Sequence, residues 1–172
     1  MFGLSSRSKD PWPLKFTRHN FDAACFNTLR CSVIYNRDQF ARPYDFEPSG
    51  PPPRNDWKDR WTSTSSVDQN FPPPAQVAWI SLDGVEHHAR IDIGSLFKDR
   101  LVRHNVPKED IPEGWLAAHA VAPLAISVLL EVNDRTITVY TRAFVATSEP
   151  QIEGNPRSNF RDDLIEVWTH TY

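Results

Sequence analysis

The sequence predicts an α+β, β-rich fold: an antiparallel sheet built from hairpins, with one or two short helices and a long proline-rich loop. Three observations predict it. Two stretches, VAWISLDGVEHHARIDI at 77–93 and LAISVLLEVNDRTITVYTRAFVAT at 124–147, alternate apolar and polar residues on either side of a turn dipeptide, as strand pairs do. Eight of the 15 prolines fall between Asp38 and Ala75, where missing ladder donors and restricted neighbours exclude a strand array. The chain has 172 residues, 40% of them hydrophobic, enough for one compact domain with its own core over 1–172.

Taken in order, the start MFGLSSRSKDPWPLKF has too short an apolar run for a signal peptide. No later run approaches the roughly 18 apolar residues of a membrane helix, so no membrane insertion and a soluble cytoplasmic chain are expected. In HNFDAACFNTLRCSVIYN, Asn20 can cap a short helix with Phe21, Ala24, Cys25 and Leu29 on one face, after which CSVIY has strand propensity. The loop at 38–75 follows. It carries Tyr44, Phe46, Trp57, Trp61 and Phe71, and the expectation is that it wraps the core and lays rings on a sheet face.

With Asp83-Gly84 as a two-residue turn, one face of the first hairpin holds Ala78, Ile80 and Leu82 with Val85, His87 and Ala89. The other holds Val77, Trp79 and Ser81 with Glu86, His88 and Arg90. His87 and His88 then point to opposite faces and cannot share a metal ion; His87 is expected to be half-buried and hydrogen-bonded, His88 exposed. In the second hairpin Leu124, Ile126, Val128, Leu130 and Val132 face one way, joined across an Asn133-Asp134 turn by Ile137 and Val139. Ser127, Leu129, Glu131, Thr136, Thr138 and Tyr140 form the opposite, unburied face. Between the hairpins only a helical turn near Ser95–Asp99 is expected, with an irregular passage punctuated by Pro107 and Pro112. At the C-terminus a capped turn at Asn159 precedes a strand in IEVWTHTY.

Several chemistries lack their motifs. The six histidines, His19, His87, His88, His104, His119 and His170, show no H-x-H, H-x-x-x-H or H-E-x-x-H spacing, so no metal is expected. Phosphate-cradling glycine motifs and the nucleophile elbow G-x-S-x-G are absent, and no catalytic residue or cofactor is assigned. Cys25 and Cys31 lack a second pair to complete a zinc set and are expected as buried free thiols; a disulfide would require an oxidising compartment. With 19 Lys+Arg interspersed among 22 Asp+Glu and a net charge of -3, nucleic acid is not the expected partner.

What remains is a binding protein, which needs only a rigid sheet and exposed aromatic and charged anchors. The expected contact residues are Trp79, Glu86, His88 and Arg90, with Trp57, Arg60 and Trp61 second. The run CSVIYN, the strand pair AWISLDGVEHHARIDIGSLFKDR and the strand pair LLEVNDRTITVYTRAF resemble small proteobacterial proteins, some of them similar to immunity proteins encoded beside secreted antibacterial toxins. The likeness spans Arg30 to Phe144; GWLAAHAVAPLA lies outside it. The resemblance implies a non-catalytic cytoplasmic protein that occludes a cognate toxin. Two rivals stand beside it: a small hydrolase or ligand-binding barrel whose site joins two or more of His19, His104, His119 and His170, and a structural homo-oligomer subunit.

Overall fold

The computed structural model describes residues 11–67 and 70–172. Buried side chains at alternate positions, Phe21, Ala23 and Cys25, make Phe16–Phe26 a strand, β1, where a helix capped by Asn20 was expected. Asn27, at φ 52°, turns the chain into β2, Thr28–Tyr35. Of the four residues expected on one helical face, Leu29 is 42% exposed while Phe21 and Cys25 are in the core. The physical reason is a ladder no local propensity reveals: β1 runs parallel to a strand more than a hundred residues on.

The remaining strands are β3 (Asp38–Gln39), β4 (Ser66–Val67), β5 (Ala75–Ser81), β6 (Glu86–Ile91), β7 (Leu124–Asn133), β8 (Thr136–Arg142), β9 (Val145–Ala146), β10 (Phe160–Arg161) and β11 (Ile165–Thr171). Two helices, α1 (Ile93–Leu96) and α2 (Glu113–Val121), separate the hairpins. One sheet has the order β11-β8-β7-β1-β4, the other β3-β2-β5-β6, with a small β10-β9 pair. All pairs are antiparallel except β1 with β7. The β-rich, largely antiparallel architecture is therefore the expected one, with a parallel pair inside it.

The inner faces of the two sheets meet in one core. From the five-stranded sheet come Phe21, Ala23, Cys25, Ile126, Val128, Leu130, Val132, Ile137 and Val139; from the four-stranded sheet come Cys31, Val33, Tyr35, Val77, Trp79 and Ile91. Cys25 and Cys31 are not free thiols: they form a disulfide that ties the end of β1 to β2 where the chain crosses between sheets. The hairpin turns are knitted together at one end. The Trp79 indole donates to the Asp134 carbonyl at 2.8 Å, Leu82 N–H to the Asp134 carboxylate at 2.9 Å, and Arg135 to Asp83 at 3.2 Å.

Residues 40–74 are mostly irregular, with two short 3-10 turns at 42–44 and 57–60; residues 68–69 lie outside the described residues. The turn at 57–60 lies on the outer face of the five-stranded sheet. Trp57 packs on Phe26 and Trp61, Trp61 donates to Asp22 at 2.9 Å, and Lys58 donates to the Tyr140 hydroxyl at 2.7 Å. Leu129, Glu131, Thr138 and Tyr140, expected on an unburied face, are consequently all buried.

Two local expectations shift. The helical turn expected near Ser95–Asp99 is α1, capped by the Asp92 carboxylate accepting from Ser95 N–H. The capped turn near Asn159 sits earlier, with Asn155 accepting from Arg157 N–H. The C-terminal strand is β11, and α2 was not foreseen.

Candidate functional site

The register of the first hairpin determines what its two faces display. Three residues, Leu82, Asp83 and Gly84, form the loop: Ser81 N–H bonds the Val85 carbonyl, Gly84 N–H bonds the Ser81 carbonyl, and Gly84 takes φ 80°. This is a turn closed by a left-handed glycine rather than a two-residue turn. A one-residue change in loop length flips one strand relative to the other. Trp79 therefore pairs with His87, not with the Glu86, His88, Arg90 face.

Trp79 is accordingly 2% exposed, stacked on His87 at 4.8 Å and edge-on to Tyr172. It is a core residue and not part of an exposed surface. His87, half-buried, meets the Ser81 hydroxyl at 2.9 Å, and His88 is exposed on the opposite face. The two histidines point apart, as the strand period requires.

The other face of β2-β5-β6 forms a three-by-three grid. Ladder pairing sets Ile34, Gln76 and Arg90 in one row, Ser32, Ala78 and His88 in the next, and Arg30, Ile80 and Glu86 in the third. The small Ser32 and Ala78 leave the middle row low, and two shallow hollows of about 370 and 280 Å³ open over the grid. Arg30 ends the grid, 3.5 Å from Asp45 and over the ring of Phe46, which is 81% exposed. The outcome is a small-residue centre at Ser32 and Ala78, with the apolar Ile80 and the 39% exposed Ile34 beside it, bordered by Arg30, Glu86, His88 and Arg90.

Glu86, His88 and Arg90 are thus brought together, and Trp79 is not with them. Trp57, Arg60 and Trp61 lie on the outer face of the other sheet, on the far side of the core; both tryptophans are half-buried there and Arg60 is exposed. Sequence reasoning missed Arg30 and Ile34, whose side depends on the β2-β5 register, and set Ala78 and Ile80 with His87 because it gave the hairpin a two-residue turn. Phe46 stood out only as an aromatic residue in the loop.

The histidines do not converge. His19 is fully buried on β1, its Nδ1 bonded to the Asn70 side-chain oxygen, so Nε2 accepts from the Tyr35 hydroxyl at 2.8 Å. Burial lowers its pKa, against the Asn70 bond, and raises that of Tyr35, aided by the charge of Asp92. His104 meets the Trp12 ring edge-on and accepts from Val106 N–H, His119 packs on Trp115, and His170 stacks on Trp168. Among the described residues no group of three His, Cys, Asp or Glu is placed to hold a metal ion, and no helix is long and apolar enough to cross a membrane.

Comparison of the chain with protein-family models, with curated proteins and with solved structures finds no match.

Proposed function

We propose that the chain is a non-catalytic binding protein that docks a protein partner on the open face of β2-β5-β6. The observation that carries this reading is the unequal treatment of the two sheets. The outer face of the five-stranded sheet is roofed by the segment carrying Trp57, Lys58 and Trp61, whereas the grid of the four-stranded sheet has a small-residue centre with apolar neighbours and a charged border open to solvent. That is the anatomy of a protein interface, with a desolvated centre and a polar border. The grid measures roughly 14 Å along the strands by 10 Å across them. A stable interface buries roughly 800 Å² on each partner, so contact extends onto the loop that presents Asp45 and Phe46.

The partner class is the one the sequence resemblance implies, a secreted antibacterial toxin whose active site this surface covers. A cytoplasmic site of action belongs to the same reading, and the Cys25–Cys31 disulfide weighs against that part, because cytosolic thiols are kept reduced.

The test is co-purification of the tagged protein from its native host, mass spectrometry of what remains bound, and expression of that partner alone and together with this chain. The expected result is one stoichiometric partner, toxic alone and harmless in the complex, whose affinity falls by at least about tenfold on Arg90→Glu or Ile34→Lys. Affinity changes below about 1 kcal/mol for both would place the interface elsewhere. A monomer that retains no partner would remove the reading, and a mass that rises with concentration would replace it with self-assembly. The same preparation, alkylated before and after reduction, reports whether the cysteine pair is oxidised where the protein works.

A further inference from the structure

A second concave feature lies away from the grid. Leu14 and Phe16 are buried, and the short ladder they form with residues 100–102 turns Lys15 and Thr17 outward. Lys15, Thr17 and Arg100 line a cleft of about 340 Å³ together with the end of α2 at His119 and the following Pro123. Trp12, flanked by Pro11 and Pro13, also lines it.

The chemistry of the lining is one-sided. It includes the basic residues Lys15 and Arg100 and, among the described residues, no acidic one, in a chain whose net charge is -3. The Arg100 guanidinium lies over the Phe71 ring at 5.4 Å, and the residue stands at φ 57°. His119 packs on Trp115 with ring centroids 4.1 Å apart, and its Nδ1 is buried without a hydrogen-bond partner among the described residues. Burial holds this imidazole toward its neutral form. Among the described residues the charge of the cleft therefore comes from Lys15 and Arg100, while the tryptophan, prolines and neutral imidazole provide apolar wall. Guanidinium and ammonium groups beside an apolar wall suit an anionic head on an apolar body.

We propose that this cleft binds a small organic anion, a carboxylate or phosphate monoester carried on an aromatic or short aliphatic group, with Lys15 and Arg100 on the head and Trp12 and His119 against the body. The site is independent of the protein-binding face, which shares none of these residues.

The test uses the full chain and four probes, followed through the His119 ring and Trp115 indole resonances: benzoate, phenyl phosphate, benzyl alcohol and inorganic phosphate. Either benzoate or phenyl phosphate is expected to bind with a dissociation constant of about 1 mM or below, as suits so small a ligand. Which of the two binds more tightly identifies the head as carboxylate or phosphate. Benzyl alcohol, lacking the charge, and inorganic phosphate, lacking the body, are each expected to bind at least about tenfold more weakly than the better anion. Lys15→Gln and Arg100→Asn, the latter tolerant of a positive φ, are expected to weaken the better anion about tenfold each, and Arg157→Ala, outside the cleft, to leave it unchanged. Absence of response to both aromatic anions overturns the proposal. So does benzyl alcohol or inorganic phosphate binding as well as they do, or full binding by a folded Lys15→Gln/Arg100→Asn chain. Should that double variant not fold, the four-probe comparison on the unaltered chain still decides.

Discussion

His19 is the residue at which acid should be felt first. Its ring is fully buried, neutral, and bonded on both nitrogens, to Asn70 and Tyr35. With burial holding the folded pKa below the ordinary histidine value of 6.5, the unfolded chain takes up the proton first. The stability contributed by the neutral ring is whole above pH 6.5 and is lost as pH falls from there through the folded pKa. His104 and His119, also lowered by burial, act with the same sign. Glu131, raised by burial, acts with the opposite sign: it favours the fold below the ordinary glutamate value of 4.5 and loses that contribution as pH rises above it. Denaturant unfolding is therefore expected to show stability declining between pH 7 and pH 5, and His19→Gln, though less stable at pH 7, to decline less over that interval. Equal pH slopes for the two chains would acquit His19. The Cys25–Cys31 disulfide offers a second residue-scale prediction. Its Cα atoms are 6.5 Å apart and it closes a loop with a separation of six, for which chain entropy gives about 2 kcal/mol. Reductant should lower the unfolding free energy by that order, and should have no effect on a Cys25→Ala/Cys31→Ala chain.

At the scale of elements, the segment over the five-stranded sheet is fastened by a partly buried ionic group. Lys58 reaches the Tyr140 hydroxyl at 2.7 Å and the Glu131 carboxylate at 3.6 Å, and Arg142 donates to the Lys58 carbonyl at 2.8 Å. Burial alone would lower the Lys58 pKa, but the Tyr140 hydrogen bond and the Glu131 charge raise it overall, so the ammonium persists. Lys58→Met leaves Glu131 buried without its cation. Because Lys58 is one-third exposed, the cost is nearer 1–2 kcal/mol than the roughly 3–5 of a fully enclosed pair. Lys58→Met/Glu131→Gln should recover part of that loss, and limited proteolysis should cut the 54–62 segment faster in the single variant than in the double. Elements also show what could be read beforehand. Both hairpins were legible as hairpins, but with different fidelity. In the second, the turn is Asp134-Arg135 rather than Asn133-Asp134, a displacement that moves opposing pairs by two and leaves every side chain on its assigned face. In the first, the extra loop residue moves them by one, which kept Glu86, His88 and Arg90 together and sent Trp79 to the core. β1 was illegible because its parallel partner is distant in sequence, and α2 because it buries no residue. Its Leu and Ala residues behind Glu113 were the available helix signal.

For the whole molecule, the decisive property is that two stacked sheets have two outer faces with different fates. Leu129 lies on the outer face of the five-stranded sheet and is 0% exposed, whereas Ile34 lies on the outer face of the four-stranded sheet and is 39% exposed. Both are apolar strand residues, and neither points into the core between the sheets. The same substitution to lysine therefore separates structural from interaction surface. In Leu129→Lys an ammonium is forced into a fully buried position between its ladder neighbours Asp22 and Tyr140, where the Asp22 carboxylate already accepts from Trp61, a change expected to cost about 3 kcal/mol or more. Ile34→Lys puts the charge in water and should shift stability by about 0.5–1 kcal/mol. Thermal unfolding of the two variants checks this part without any partner. A severe loss in Ile34→Lys would mean that the grid is covered in the native protein, by its own chain or by a second copy, and sedimentation of the unaltered protein would distinguish those. A mild loss, together with abolished capture of the partner, would mean that the open face is held stable without its ligand and is kept apolar for binding rather than for folding.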